Sequence, residues 1–400
     1  MKNILIGQSG GPTAVINSSL CGVITEAKLH SEIGEIYGMI NGIEGFLKDK
    51  YIDLRKLTDD DLGLLKVTPA AYLGSCRFKL PKDFNDDTYK TLFEKFEKLN
   101  IGYVLYNGGN DSMDTADKLS KYASIVKSDI KFVGIPKTID NDLMGTDHTP
   151  GFPSAAKFVA NTVRNIMLDA EVYDKPSVTI VEIMGRHAGW LTASSVLARR
   201  NKNDNPALIY LPESDFSMDK FFDDVKSALE VHKNLIICVS EGIKDSTGKF
   251  ICEYASEAGV DTFGHKNLTG CGKFLENEIK DKLGVKVRSV ELNVVQRCAS
   301  DLLSKTDVDE AFEVGREGVK TALAGKTAKM VCIIRESQYN VSYRAVDVSK
   351  ISNREKIFPK EWIINGNDIS DEFFAYILPL ISGEVDIAYE NGMAKYLTRS

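Results

Sequence analysis

Long hydrophobic runs are missing from this chain. None of its apolar stretches approaches the roughly 20 residues of a membrane span, so no membrane partner is expected. The start, Met1-Lys2-Asn3-Ile4-Leu5-Ile6-Gly7, is too short and too soon broken by glycine to be expected as a signal peptide. Closely paired cysteines are missing too. The seven cysteines, at 21, 76, 238, 252, 271, 298 and 332, include no Cys-x-x-Cys and are odd in number. Reduced thiols in a cytoplasmic protein are the expectation. There is no excess of positive charge: 50 Lys and Arg stand against 57 Asp and Glu, a net −7, mixed along the chain. Nucleic acid is thereby disfavoured as the main partner, and an anionic ligand must be met by basic residues gathered locally. What remains is 400 residues with 43% hydrophobic content, enough for a large core and about two domains.

Short apolar runs at 3–6, 36–40, 103–106, 132–135, 178–183, 207–211, 235–239 and 330–334 read as strands. Most are β-branched and end in glycine or a polar turn, as buried parallel strands do. Amphipathic patterns between them, at 87–99, 154–170 and 219–232, predict helices. Such alternation predicts an α/β fold with parallel sheets, whose ligands bind beyond the carboxyl ends of strands. No internal repeat or low-complexity linker is present. Residues from about 336 to 400, with Trp362 and Asn-Gly pairs, are expected as an appended C-terminal element.

The densest chemistry lies at Gly134-Ile135-Pro136-Lys137-Thr138-Ile139-Asp140-Asn141-Asp142. A base, a second anion, a hydroxyl and an ammonium crowd one polar turn. That set suits a site handling a proton and a highly charged group together. Upstream, Asn107-Gly108-Gly109-Asn110-Asp111-Ser112 closes a strand and opens a helix. Its glycines permit close approach, and Asn110 and Asp111 supply the hard oxygens that Mg²⁺ with phosphate needs. Taken alone, it is also a plain helix cap.

The first strand runs into Gly7-Gln8-Ser9-Gly10-Gly11-Pro12-Thr13. Adjacent glycines admit a ligand to the backbone, and Pro12 suits the first turn of a helix whose free N–H groups face an anion. The loop matches neither a Walker motif nor Gly-x-Gly-x-x-Gly; alone, it is an ordinary βα turn. Arg77 follows the glycine turn Leu73-Gly74-Ser75-Cys76. Arg186, in Met184-Gly185-Arg186-His187, follows a strand and is placed to fork onto a phosphate; His187 is read as structural. Glu241, in Ser240-Glu241-Gly242, offers a carboxylate to a sugar hydroxyl. Arg288 and Arg297 bracket an apparent strand at 289–296, where salt bridging is the plainest reading. Together the loops point to phosphoryl transfer.

In order and spacing, Gly10-Gly11, Gly-Ser-x-Arg77, Gly-Gly-Asn-Asp111, Pro-Lys-Thr-Ile-Asp-Asn-Asp142, Gly145-Thr146-Asp147, Met-Gly-Arg186, Ser-Glu-Gly242 and Gln-Arg297 resemble the phosphofructokinase family. The likeness covers about residues 1–335. It implies two Rossmann-like three-layer domains with parallel sheets and an active site in the cleft between them. Residues 1–151 plus about 296–345 would hold the phosphoryl donor, about 152–295 the sugar phosphate, and about 346–400 a C-terminal extension. Fructose 6-phosphate as acceptor and Mg²⁺ as cofactor are also implied. By position, Asp140 becomes the base for the sugar's 1-hydroxyl, and Thr138, Arg77 and Arg186 steady the transferring group. Asn110 and Asp142 fall on the metal side. Gly10, Gly11, Arg77 and Gly109 fall at donor positions. Thr138, Ile139, Asp140, Met184, Gly185, Arg186, Glu241, Val294 and Arg297 fall at sugar positions. Arg288 matches an arginine that reaches the sugar phosphate of a neighbouring subunit, so a homodimer or homotetramer is implied.

Two positions bear on the donor. ATP-using members of the family carry glycine where this chain has Asp111 and Lys137, and here it is similar to the pyrophosphate-dependent branch. A carboxylate at Asp111 would fill the space of ATP's α-phosphate and repel its charge. Lys137 sets a cation beside a compact anionic donor and leaving group, and so joins the catalytic set. Reversible transfer from pyrophosphate to fructose 6-phosphate, in glycolysis or gluconeogenesis, is the expectation. An ATP-dependent enzyme and a catalytically silent subunit of the same fold are the alternatives. The chain departs from the family pattern at Asn110 (usually aspartate), Val294 (usually histidine or tyrosine), Cys298-Ala299 (usually two glycines) and Ser177 (usually arginine). A longer sugar, such as sedoheptulose 7-phosphate, stays open on that account.

Overall fold

Strand boundaries follow the β-branched runs. In chain order the strands of the two main sheets are β1 (Lys2–Gln8), β2 (Ile33–Met39), β3 (Tyr51–Asp53), β4 (Ile101–Gly108), β5 (Lys131–Pro136), β6 (Ser177–Ile183), β7 (Leu208–Tyr210), β8 (Asn234–Ser240), β9 (Lys286–Glu291), β10 (Lys329–Arg335) and β11 (Val341–Asp347). They come from a computed structural model that describes residues 1–254, 270–337 and 339–399. Seven strands form one sheet in the order β11-β10-β5-β4-β1-β2-β3, and four form a second in the order β7-β8-β6-β9. The second is parallel throughout. The first is parallel except at its edges, where β3 and β11 run antiparallel to β2 and β10.

Alternation along the strands explains the layers. Ile4 and Ile6 of β1, Leu105 of β4 and Val133 and Ile135 of β5 share one core with Leu20, Val23 and Ile24 of the helix Ile16–Lys28 and Val314 and Val319 of the helix Lys305–Leu323. Leu5, Val104 and Phe132, one residue out of phase, face the opposite core with Leu92, Phe96 and Leu119. Successive side chains of a strand point to opposite faces, so a sheet covered on both faces needs continuous apolar runs rather than alternating ones. The second sheet repeats the scheme: Ile180 and Ile237 face one core, and Val181, Ile183, Ile236 and Cys238 the other. The helices expected at 87–99, 154–170 and 219–232 are present as Asp87–Lys98, Phe152–Glu171 and Met218–Val231. Asp86 and Ser217 cap two of them, accepting from the amides of Thr88 and Lys220. Among the described residues no helix is long and apolar enough to cross a membrane.

Three expectations need correction. The helix after the Gly10-Gly11 loop begins at Ile16, not at Pro12, so the loop carries Pro12 outside the helix. The apparent strand at 289–296 is displaced: β9 ends at Glu291, Asn293 turns left-handed at φ 43°, and Val295–Cys298 closes one helical turn. Arg288 therefore lies inside β9 rather than before it. The stretch expected as an appended element is woven into both halves. β11 completes the first sheet, and Phe358, Ile369, Phe373, Ile377 and Leu380 are buried in the core beside Trp190.

Candidate active site

The loops beyond β1, β4 and β5 converge because the strands that carry them are neighbours. Gly10 adopts φ 80°, and a Cβ there would stand 3.3 Å from the Lys137 ammonium; a Cβ on Gly11 would stand 3.2 Å from a guanidinium nitrogen of Arg297. The two glycines thus leave room for two cations to press on the backbone. Lys137 Nζ donates to the Gly11 carbonyl at 2.5 Å. Ser75 Oγ donates to the Gly10 carbonyl, and the Gly10 amide to the Cys76 carbonyl. That ties the Arg77 turn to the same loop. Lys137 is buried. Burial lowers its pKa to about 8, against the pull of Asp140 and Asp142 and aided by Arg297 and Arg77.

The turn beyond Lys137 is tightly internally bonded. The Asp140 amide donates to Thr138 Oγ1, and Thr149 Oγ1 donates to the Thr138 carbonyl. Asn141 is buried in the left-handed conformation, φ 54°, and its Oδ1 accepts from the Thr149 amide. Burial, and then the neighbouring Asp142 and Glu241, push Asp140 well above the usual carboxylate range, while Lys137 and Arg186 pull the other way. Burial raises Asp142 as well. Ile139 packs its side chain into the core of the second half, which leaves its backbone for any ligand.

The second sheet supplies the facing wall. Gly185 adopts φ 145° and a Cβ there would lie 2.7 Å from the Ala188 carbonyl; one on Gly242 would lie 2.1 Å from the Arg186 carbonyl. The Met-Gly-Arg and Ser-Glu-Gly turns therefore interlock, and only glycine fits at the crossing. Ser240 Oγ donates to the Gly185 carbonyl, and the Gly185 amide to Glu241 Oε1 at 3.4 Å. The Met184 amide is held by Gln296 Oε1, which brings the Arg297 turn to the same wall. Burial raises Glu241, with Arg186 and Arg297 opposing.

Two expected sugar residues are not part of this convergence. Arg288 pairs in register with Thr179, four residues before Ile183 ends β6, which sets it about 13 Å back from the cleft. It is partly exposed and salt-bridged to Asp169 at 3.2 Å. Val294 is exposed and offers no polar group.

Asp111, in the first turn of the helix Asn110–Ile125, keeps its carboxylate largely exposed and pairs with Lys79 at 3.5 Å. Asn110 behaves differently. Its Nδ2 donates to the Arg354 carbonyl at 2.8 Å, and its Oδ1 is buried without a partner. An aspartate there would set a carboxylate oxygen against that carbonyl, which is a physical reason for the amide. Asp142 Oδ1 is also buried and unpartnered. Orphaned buried oxygens are rare in folded proteins, and two hard oxygen atoms suit a divalent cation that keeps waters and phosphate oxygens as its other ligands. Among the described residues there is no cluster of three or more His, Cys, Asp or Glu side chains suited to a metal, so such an ion would draw most of its shell from elsewhere.

One group at the site was not foreseen: Lys356. Its ammonium donates to Asn141 Oδ1 at 3.2 Å and to the carbonyls of Thr146 at 3.2 Å and Asp147 at 2.7 Å. Its amide donates to the Asp142 carbonyl at 2.7 Å. Burial lowers its pKa to about 8, against Asp147 and Asp142. No motif or periodicity surrounds it in sequence; only the tertiary fold brings it to the acid loop.

Buried carboxylates, convergent cations and glycine turns at the ends of parallel strands define a phosphotransferase of the α/β class. The phosphofructokinase family profile matches residues 3–311, and the chain belongs to that family. It is 39% identical to the pyrophosphate–fructose 6-phosphate 1-phosphotransferase of Halomonas elongata, over 98% of this chain and 95% of that one. It is 38% identical to the protein of the same name from Rhodospirillum rubrum, over 99% of each chain. The crystal structure of a pyrophosphate-dependent phosphofructokinase from Nitrosospira multiformis superposes with a TM-score of 0.90 at 35% identity, covering 99% of this chain and 96% of that one.

Proposed function

We propose that this enzyme transfers a phosphoryl group from pyrophosphate to the 1-hydroxyl of fructose 6-phosphate, giving fructose 1,6-bisphosphate and phosphate. The observation that carries the donor assignment is the buried Lys137 ammonium held against the Gly10-Gly11 backbone, with Asp111 in the first turn of the next helix. A cation there meets a compact, highly charged donor and neutralises the phosphate that leaves. A carboxylate at Asp111, beside the donor loop, would repel a nucleotide's further phosphate.

Asp140 takes the proton of the 1-hydroxyl as that oxygen attacks phosphorus. The bridging P–O bond breaks, and inorganic phosphate leaves toward Lys137 and Arg77. Arg186 and Thr138 steady the transferring group; such transfer depends chiefly on positioning and charge stabilisation. Met184, Gly185, Glu241 and Arg297 hold the sugar phosphate from the second sheet, while the first sheet's loops hold the donor. Asn110 and Asp142 would hold Mg²⁺, which when bound offsets the negative charge of pyrophosphate. Arg288, set back from its own cleft, serves the sugar phosphate of a neighbouring subunit in a homodimer or homotetramer. Seven free thiols fit a cytoplasmic enzyme.

The test is fructose 1,6-bisphosphate formation from fructose 6-phosphate and Mg²⁺, with pyrophosphate or ATP in parallel. Turnover with pyrophosphate, reversible on adding phosphate, is expected. Turnover with ATP alone would overturn the donor assignment, and turnover with neither would overturn the acceptor or point to a silent subunit.

A further inference from the structure

The C-terminal strap at 353–358 crosses the cleft outside the residues that match the family profile, which end at 311. At one end it grips the acid loop. Lys356 Nζ meets three acceptors, Asn141 Oδ1 and the carbonyls of Thr146 and Asp147. An ammonium has three donors, so the match is complete. These acceptors lie on both sides of Asp142 in sequence, and the strap's own amide at Lys356 bonds the Asp142 carbonyl between them. Nearby, the Arg354 carbonyl orients the Asn110 amide.

At its other end the strap grips the facing wall. Trp190 Nε1 donates to the Lys356 carbonyl at 3.0 Å, and the Lys356 ammonium lies 4.9 Å from the centre of the Trp190 ring. The Phe358 amide donates to Glu213 Oε1, which also accepts from the Gly189 amide. Gly189 and Trp190 directly follow the Arg186 turn. One short segment is thus bonded to the loop that carries Asp140 and to the turn that carries Arg186.

We propose that Lys356 is a positioning residue for the phosphoryl transfer, fixing the 140–147 loop against the Arg186 wall so that base, acceptor and donor meet at one spacing. It acts through the loop and touches no reacting atom. The role rests on the function proposed above, since it presumes that Asp140 is the base. Displacing a catalytic group by about 1 Å costs on the order of 10²-fold in rate.

The test uses the full-length chain with Lys356→Met and, as a control for lost charge just beyond the strap, Lys360→Met, whose side chain is exposed. Steady-state kinetics with fructose 6-phosphate, pyrophosphate and Mg²⁺ are combined with amide hydrogen exchange of the free proteins. Lys356→Met is expected to lower kcat about 10²-fold and to leave the sugar KM within about threefold, because Met184, Gly185, Glu241 and Arg297, which hold the sugar phosphate, lie outside the acid loop. Exchange should quicken only in the acid loop and the strap. Lys360→Met should match wild type in both. An unchanged kcat overturns the proposal. So does a loss of kcat without faster exchange in the loop, which would make Lys356 a direct participant, and so does faster exchange throughout, which would make it a general stabiliser. If the wild-type chain itself shows no transfer, the proposed function fails by that fact. The catalytic role falls with it, and exchange then decides only whether Lys356 fixes the loop: loosening confined to the loop sustains that contact, and unchanged exchange ends it.

Discussion

Asp140 is pushed up by burial and by Asp142 and held down by Lys137 and Arg186, a balance that suits a group asked to accept a proton and return it. Replacing it with asparagine keeps the shape and removes the base. Asp140→Asn is expected to lower kcat by about 10²- to 10⁴-fold, while calorimetric binding of fructose 6-phosphate survives on the second-sheet contacts; wild-type turnover in a folded variant would remove Asp140 from the mechanism. Lys137→Gly separates donor from acceptor. With its ammonium gone from the Gly11 carbonyl, pyrophosphate use should fall far more than sugar affinity, read as separate KM and kcat values for each substrate. A change confined to the sugar's KM would count against the donor role. Both residues were legible in the sequence, because their chemistry is packed into one turn and needs no tertiary context to be noticed. Lys356 was not. It sits in a polar stretch without periodicity, and its meaning comes from three acceptors more than 200 positions away in the chain. Asn110 is an intermediate case: its departure from aspartate was visible, but its cause, the Arg354 carbonyl, lies across the same long separation.

Strands buried on both faces announce themselves as unbroken apolar runs, which is why β1, β4, β5, β6, β8 and β10 were readable. The edges were not. β3 and β11 are largely half-buried or exposed along their length, and β9 carries charged residues at both ends, so none shows a clean run. Helix crossings were equally hidden. Where the helices Ile16–Lys28 and Lys305–Leu323 cross, a Cβ on Gly22 would lie 2.0 Å from the Phe312 carbonyl and one on Gly315 would lie 2.1 Å from the Ser19 carbonyl. Two opposing effects then set the outcome of Gly22→Ala. Alanine gains about 1 kcal/mol of helix propensity, but the obstructing atom is backbone, and overpacking typically costs about 1–3 kcal/mol and occasionally more. A net loss is expected. Gly63, in the helix Asp59–Val67, has nothing within 4 Å of its would-be Cβ, so Gly63→Ala should stabilise by about 0.5–1 kcal/mol. Urea unfolding of the pair checks this; equal signs would show that the crossing is looser than the backbone distances require.

Beyond single elements, one buried network ties the acid loop to the rest of the molecule. His148 bonds Asp147 through Nδ1 at 2.9 Å and Glu310, on the helix Lys305–Leu323, through Nε2 at 2.5 Å. Tyr339 donates to Glu310, Arg335 of β10 pairs with Asp147, and Tyr376 of the helix Asp371–Ile377 donates to the Asp147 carbonyl. Asp307, on the same helix as Glu310, also feels the imidazole's charge. Burial alone would lower the His148 pKa, but the bonds to Asp147 and Glu310 outweigh it and raise the pKa above the ordinary 6.5. A group whose folded pKa is raised stabilises fully below its unfolded value, and that contribution is lost as pH climbs through the folded one. Asp147 is shifted downward and stays ionised across this window, so it adds no slope there. His148→Gln should therefore lose about 2 kcal/mol at pH 6, the scale of a hydrogen bond to a charged group, and the gap to wild type should narrow steadily by pH 9. Denaturant unfolding of both proteins at several pH values measures it. A gap that stays constant with pH would mean that the imidazole is neutral in the folded protein and that the network is held by geometry instead of charge.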